Sequence, residues 1–266
     1  MIPAAMLKGA WSYRGFILGS VRREFQLKYG NAILGASWSV LSPLAMILVY
    51  TLIFSQVMQN RLPGAAGPFA YSIYLCAGTL TWGLFSEITG RAQTMFLEQG
   101  NLLKKINFPR ICLPIIIILN ALLNFTIIFG LFLGFLVLTG SFPGWIALAM
   151  LPVLLIQVLF AIGLGMILGV LNVFFRDVGQ FFQIFVQFWF WFTPIVYPAT
   201  ILPPAVHDLL AYNPMFALTV AYQTIFVKAT APVWSTLLYP AGLALVLCLL
   251  GLHLFRKRSG EMVDEL

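Results

Sequence analysis

Long apolar runs separated by short clusters of charge set the pattern of this chain. No charged residue falls between Lys28 and Arg61, Arg61 and Glu87, Arg110 and Arg176, Asp177 and Asp208, Asp208 and Lys228, or Lys228 and Arg256. A helix needs about 20 apolar residues to cross the hydrocarbon core of a bilayer. The runs predict six spans, at 33–58, 69–88, 109–138, 145–174, 178–197 and 233–255. The run from Arg110 to Arg176 must hold two of them. They are parted at Thr139-Gly-Ser-Phe-Pro-Gly144, where the Gly and Pro content predicts a tight turn. The expected fold class is an all-α polytopic membrane protein, with a single transmembrane domain over residues 1–266.

Composition agrees. Of the 266 residues, 61% are apolar and 9% charged, against about 25% charged in soluble chains. Too little charge is present to cover a soluble domain, and disorder needs the opposite balance. The net charge of +7 is therefore no sign of nucleic acid. Thirteen of the fifteen Lys and Arg fall on one side of the six-span arrangement, and only Arg61 and Lys228 fall opposite. By the positive-inside rule that side is cytoplasmic, and it carries both termini. The start, Met1 to Trp11, has no apolar core of signal length before Arg14, so no cleavable signal is expected. Cys76, Cys112 and Cys248 are far apart in apolar stretches and read as small packing residues.

The stretch Leu209–Val227 is uncharged and long enough for a seventh span. That span would carry Arg256-Lys-Arg258 outside. The Asn213-Pro214 pair and Gln223 also suit a helix not bathed in lipid. A re-entrant pair of short helices on the outer face, over 203–229, is expected instead, since such backbone is tolerated where protein surrounds it.

Residues 10–29 read as an interfacial helix, with Tyr13, Ile17, Val21 and Phe25 in one stripe and Arg14 and Glu24 intruding on it. A plain membrane anchor is one reading. The other is a basic collar, Arg14, Arg22, Arg23 and Lys28, that receives an anionic lipid headgroup. The inner segment Thr89–Asn107 is too long for an idle linker. Its mixed polar and apolar residues suggest short helices docking on another protein. The second inner turn holds Arg176-Asp177, read as an adjacent ion pair.

Catalysis finds little support. The eight acidic residues form no D-x-x-D or similar metal-binding cluster. Glu87, near the end of the second predicted span, is the one acidic residue close to the membrane interior, which also weakens proton-coupled transport. No G-x-x-x-x-G-K-[ST] occurs, so ATP is not bound here by that loop. The spacings Gly130–Gly134 and Gly165–Gly169 permit close helix contact, within one subunit or between two. Trp38 and Tyr50 on the first span, and Trp189, Trp191 and Tyr197 on the fifth, either face lipid or line a path for sugar C–H faces.

Five segments carry a resemblance: Lys28-Tyr-Gly-Asn-Ala-Ile-Leu-Gly35 with Trp38 and Pro43, Asn101-Leu-Leu-Lys-Lys-Ile-Asn-Phe-Pro109, Asn172-Val-Phe-Phe-Arg-Asp-Val178, Thr193-Pro-Ile-Val-Tyr-Pro198, and Asn213-Pro214. In this order the chain resembles, over nearly its whole length, the permease subunits of type-2 ABC exporters of lipid-linked polysaccharide, such as O-antigen or teichoic acid. Where such permeases often carry Tyr-Arg, this chain has Tyr222-Gln223.

The resemblance implies a homodimer in the cytoplasmic (inner) membrane, paired with two ATP-binding subunits that hold ATP and Mg. It implies a lipid-diphosphate-linked glycan as cargo. It implies a coupling role for Met95, Phe96, Glu98, Asn101, Lys104 and Lys105, with Arg176 and Asp177 near a second contact. A type-2 permease for a drug or another lipid, or a membrane enzyme of glycan assembly, are the alternatives.

Overall fold

A computed structural model of the protein describes residues 11–30, 37–54, 68–100, 110–203, 209–258 and 260–265. Among these residues there is no strand. The helices are α1 (Arg14–Gly30), α2 (Trp38–Val49), α3 (Ala70–Glu98), α4 (Cys112–Leu138), α5 (Met150–Phe174), α6 (Asp177–Trp191), α7 (Pro214–Val227), α8 (Leu238–Arg258) and α9 (Glu261–Glu265). Three segments are long and apolar enough to cross a membrane: Cys112–Leu138, Gly144–Phe174 and Trp234–Arg258. Val40–Leu52 and Pro214–Val227 are shorter apolar helices.

The turn expected at 139–144 is present, with a clear cause. Gly140 lies at φ +67°, a left-handed conformation that a Cβ disfavours. The Ser141 N–H reaches the Leu136 carbonyl at 2.9 Å, and the Gly140 N–H reaches Val137 at 3.1 Å. These are the paired bonds of a Schellman stop, which satisfies the last carbonyls of α4.

Three helix limits differ from the sequence reading. The helix at the second predicted span runs ten residues beyond residue 88, to Glu98. Its extra turns bury Thr89, Ala92, Gln93, Met95 and Phe96, so packing prolongs a helix where hydropathy falls away. The first span is helical from Trp38, holds Pro43, and passes into a π turn over Tyr50–Phe54. The fifth ends at Trp191, ahead of Pro194 and Pro198, whose rings cannot continue a helical ladder.

The core is built on α3 and α5. Helix α5 packs most extensively against α8 and α3, and α3 also meets α7 and α4. Gly165 and Gly169 explain the closeness of α3 and α5. A Cβ on Gly165 would lie 2.5 Å from the Ala92 Cβ, and one on Gly169 would lie 2.5 Å from the Ala92 carbonyl oxygen. This spacing therefore serves contact within one chain. Gly130 and Gly134 face open space.

Candidate functional site

Three regions gather the chemistry. The first is the C-terminal end of α3. Met95 and Phe96 are buried, and Phe96 stacks on Phe255 with centroids 5.4 Å apart. Phe96 thus binds α3 to α8, while Met95 lines a cavity shared with residues of α1 and α4, and neither presents an outer surface. Glu98, two residues on, is exposed. Asn101, Lys104 and Lys105 lie outside the described residues. Arg176 and Asp177 are both exposed and do not pair with each other. Asp177 instead opens α6, where the helix dipole favours an acid.

A residue the sequence reading left without a role joins these two points. Asn172 donates through its amide to the Gln93 carbonyl at 2.9 Å and accepts the Gly179 N–H at 3.0 Å. One side chain thus ties the end of α3 to the α5–α6 turn. Asn172 opens the quoted segment Asn172–Val178, but spacing alone does not show which backbone it reaches.

The second region is α1, which the sequence predicts to be interfacial. Of the predicted stripe, Ile17 and Val21 are buried and Phe25 is half-buried, whereas Tyr13 is exposed. Glu24, which intruded on that stripe, has a reason to be there. It forms an ion pair with Arg91 of α3 and accepts the Asn120 amide of α4 at 2.6 Å. Beside it is a cavity of about 410 Å³ whose lining includes Arg23, Glu24, Arg91 and Glu98. Two cations and two acids meet there, so it is no purely basic cradle. Arg22 and Arg23 are exposed. Arg14 is exposed as well, and its guanidinium sits 5.5 Å from the Trp11 ring centroid. Lys28 lies on α1, but its side chain is outside the described residues.

The third region is aromatic and central. Trp189 makes edge contacts with Trp82, Phe85 and Phe160 and a tilted one with Phe185, at centroid distances of 5.2–6.3 Å. Its indole N–H donates to the Asn213 side chain at 2.9 Å. Trp191, two positions on, is 62% exposed, and Trp38 is 48% exposed. Positions two apart diverge by about 200° on a helix, and the two rings of α6 divide accordingly.

Tyr197 follows α6 in the irregular segment that α3 holds in place. Tyr74 donates to the carbonyls of Pro194 (3.0 Å) and Tyr197 (2.9 Å), Tyr71 donates to Val196, and Gln223 reaches Pro194 at 3.2 Å. Gln223, at the position of the departure noted above, is thus a structural link. Tyr50 lines a second cavity, of about 460 Å³, with Pro43, Met46, Trp82, Glu87, Asn124 and Phe190 among its walls. In that cavity the Asn124 amide donates to Glu87 at 2.8 Å.

No group of three or more metal-ligating residues occurs among the described residues. A bundle of long apolar helices, with its polar groups gathered at helix contacts and helix ends, defines a polytopic membrane protein. The chain belongs to the ABC-2 type transporter family, whose model matches residues 17–227. Membership embeds it in a membrane as a transport subunit and pairs it with ATP-binding subunits. It is 31% identical over 263 residues to the O-antigen export system permease protein RfbA of Myxococcus xanthus, covering 98% of this chain and 99% of that one. It is 27% identical over 248 residues to the protein of the same name from Klebsiella pneumoniae, covering 92% of each. Against the polysialic acid transport protein KpsM of Escherichia coli it is 22% identical over 252 residues, covering 91% of this chain and 93% of the relative.

Proposed function

We propose that this chain is the permease of an ATP-driven exporter that carries a lipid-diphosphate-linked polysaccharide across the cytoplasmic membrane. The observation that carries the reading is the end-to-end correspondence with an O-antigen export permease, 31% identical over 98% of the chain. The working unit is a homodimer with two ATP-binding subunits, which hold ATP and Mg. Six spans place both termini inside. Helix α7, 14 residues long, reaches about 21 Å at 1.5 Å per residue. Its Gln223 is buried and donates to the Pro194 carbonyl, which supports the re-entrant reading of 203–229, a helix surrounded by protein.

In this mechanism the ATP-binding subunits press on Glu98 and the segment with Asn101, Lys104 and Lys105, and on Arg176 and Asp177. Two features support that route. Helix α3 is continuous for 29 residues, so a push at Glu98 moves it as one body. The Asn172 bonds to Gln93 and Gly179 make the second contact move with it. Phe96 passes the motion to α8 through Phe255, and Met95 faces α1 and α4. Exposed Arg14, Arg22 and Arg23, with Lys28, receive the anionic headgroup at the membrane surface. Among the aromatic residues, Tyr50 stands nearest the path through its cavity, whereas Trp38 and Trp191 face outward from this chain.

Deleting the gene in its host should abolish surface polysaccharide and leave lipid-linked glycan on the cytoplasmic side. The purified permease with its ATP-binding subunits should hydrolyse ATP faster when that glycan is added. Normal surface polysaccharide in the deletion strain overturns the reading.

A further inference from the structure

Glu87 is the eighteenth residue of the 29-residue α3, near the end of the predicted span 69–88 and within the continuous helix. Asn124 is central in the 27-residue α4. The two meet at 2.8 Å on the wall of the 460 Å³ cavity. Arg91 lies one turn along α3, but its ion pair is with Glu24. Among the described residues Glu87 therefore has one amide donor and no cation.

We infer that this cavity is a hydroxyl-binding station for a sugar unit of the exported glycan, with Glu87 and Asn124 as its polar contacts. The inference rests on the proposed function. A carboxylate in a largely apolar cavity is costly unless it is hydrogen-bonded, and an apolar occupant would leave its second oxygen without a donor. If the pair only pinned α3 to α4, a neutral amide pair would serve without that cost. A carboxyl group here calls for hydrogen-bonding partners, and vicinal sugar hydroxyls supply them. The Asn124 amide donates to one carboxylate oxygen, so its own carbonyl and the second carboxylate oxygen remain as acceptors. Around them Tyr50, Trp82, Phe125 and Phe190 offer ring surfaces to the apolar C–H face of a pyranose. The volume falls within the roughly 300–1,000 Å³ of ligand pockets.

The test uses the permease with its ATP-binding subunits in proteoliposomes. The probe is lipid-diphosphate-linked glycan extracted from the host. Glu87→Leu and Asn124→Leu should each raise the half-saturating glycan concentration about tenfold, the worth of one charge-assisted hydrogen bond. Glu87→Asp should restore much of the loss, and Glu87→Gln less. Assembly with the ATP-binding subunits, read by gel filtration, should persist.

A second measurement does not depend on those variants. A Cβ on Gly83, in the cavity wall, meets open space. Gly83→Cys, with the native cysteines replaced, should react with a charged thiol reagent, and added glycan should protect it. Unchanged half-saturation in both Leu variants overturns the inference. So does labelling by a lipophilic reagent alone, which marks a lipid-filled cavity. So does absence of labelling before glycan is added, which marks a face covered by a second copy. In each case wild-type transport leaves the proposed function standing. A wild-type complex that moves no glycan overturns both.

Discussion

The indole N–H of Trp189 and the backbone N–H of Met215 both donate to the side-chain oxygen of Asn213, at 2.9 and 3.0 Å. The oxygen that caps α7 thus also anchors the aromatic core of α6. Asn213 further donates to the Thr193 hydroxyl at 3.1 Å. The start of α7 is therefore held to α6 by Asn213, followed by Pro214 at the first helical position, where a missing N–H costs nothing.

Trp189 and Trp191 should separate on substitution. Trp189→Leu removes four ring contacts and a hydrogen bond, and should lower stability by about 1–2 kcal/mol. Trp191→Leu should leave the melting temperature unchanged and export within about twofold, since Leu also inserts favourably. Thermal unfolding in detergent and surface glycan measure the two effects. Equal loss of stability in both variants would contradict the packing described.

Asn172 should matter more for coupling than its neighbours suggest. Asn172→Leu leaves the Gln93 carbonyl and the Gly179 N–H without this partner, at about 1–3 kcal/mol. ATP hydrolysis should then respond less to glycan, even where the complex assembles. Stimulated hydrolysis at the wild-type level would remove Asn172 from the proposed route.

Glu98 and Met95 test different things. Glu98 is exposed, so Glu98→Lys should weaken stimulated hydrolysis or assembly while membrane insertion stays normal. Met95 is 3% exposed, so Met95→Asp should lower protein level by burying an unpaired charge. Wild-type coupling in Glu98→Lys would detach this end of α3 from the ATP-binding subunits.

The glycine contacts predict a sharp contrast. Gly169→Val places methyl groups where the Ala92 carbonyl already lies and should prevent a folded product. Gly134→Val, facing open space, should be tolerated within about 0.5 kcal/mol. Fluorescence-detected gel filtration of tagged variants distinguishes them.

Topology is checked by cysteine labelling with an impermeant reagent, in a background lacking Cys76, Cys112 and Cys248. Ser141→Cys, in the α4–α5 turn, should react from outside. Glu98→Cys and Gly260→Cys should not. Outside labelling at Gly260 would replace the six-span arrangement with seven.

The sequence alone was enough for whatever depends on local chemistry. Charge-free runs of about 20 residues can only be satisfied as helices in lipid, and they locate α4, α5 and α8 closely. Gly140 and Pro143 in a polar break mark the turn, because a left-handed glycine and a restricted proline act on their own backbone. Asn213-Pro214 marks the start of α7 for the same reason. Tertiary structure decided which distant groups meet. Glu24 finds Arg91 and Asn120, Glu87 finds Asn124, and Trp189 finds Asn213, over separations that no periodicity reports. It also decided where α3 ends, because the burial of Thr89 to Phe96 against neighbouring helices outweighs their weaker hydropathy. Glu24 looked like a flaw in an amphipathic stripe because its partners stand on helices that only folding brings beside it.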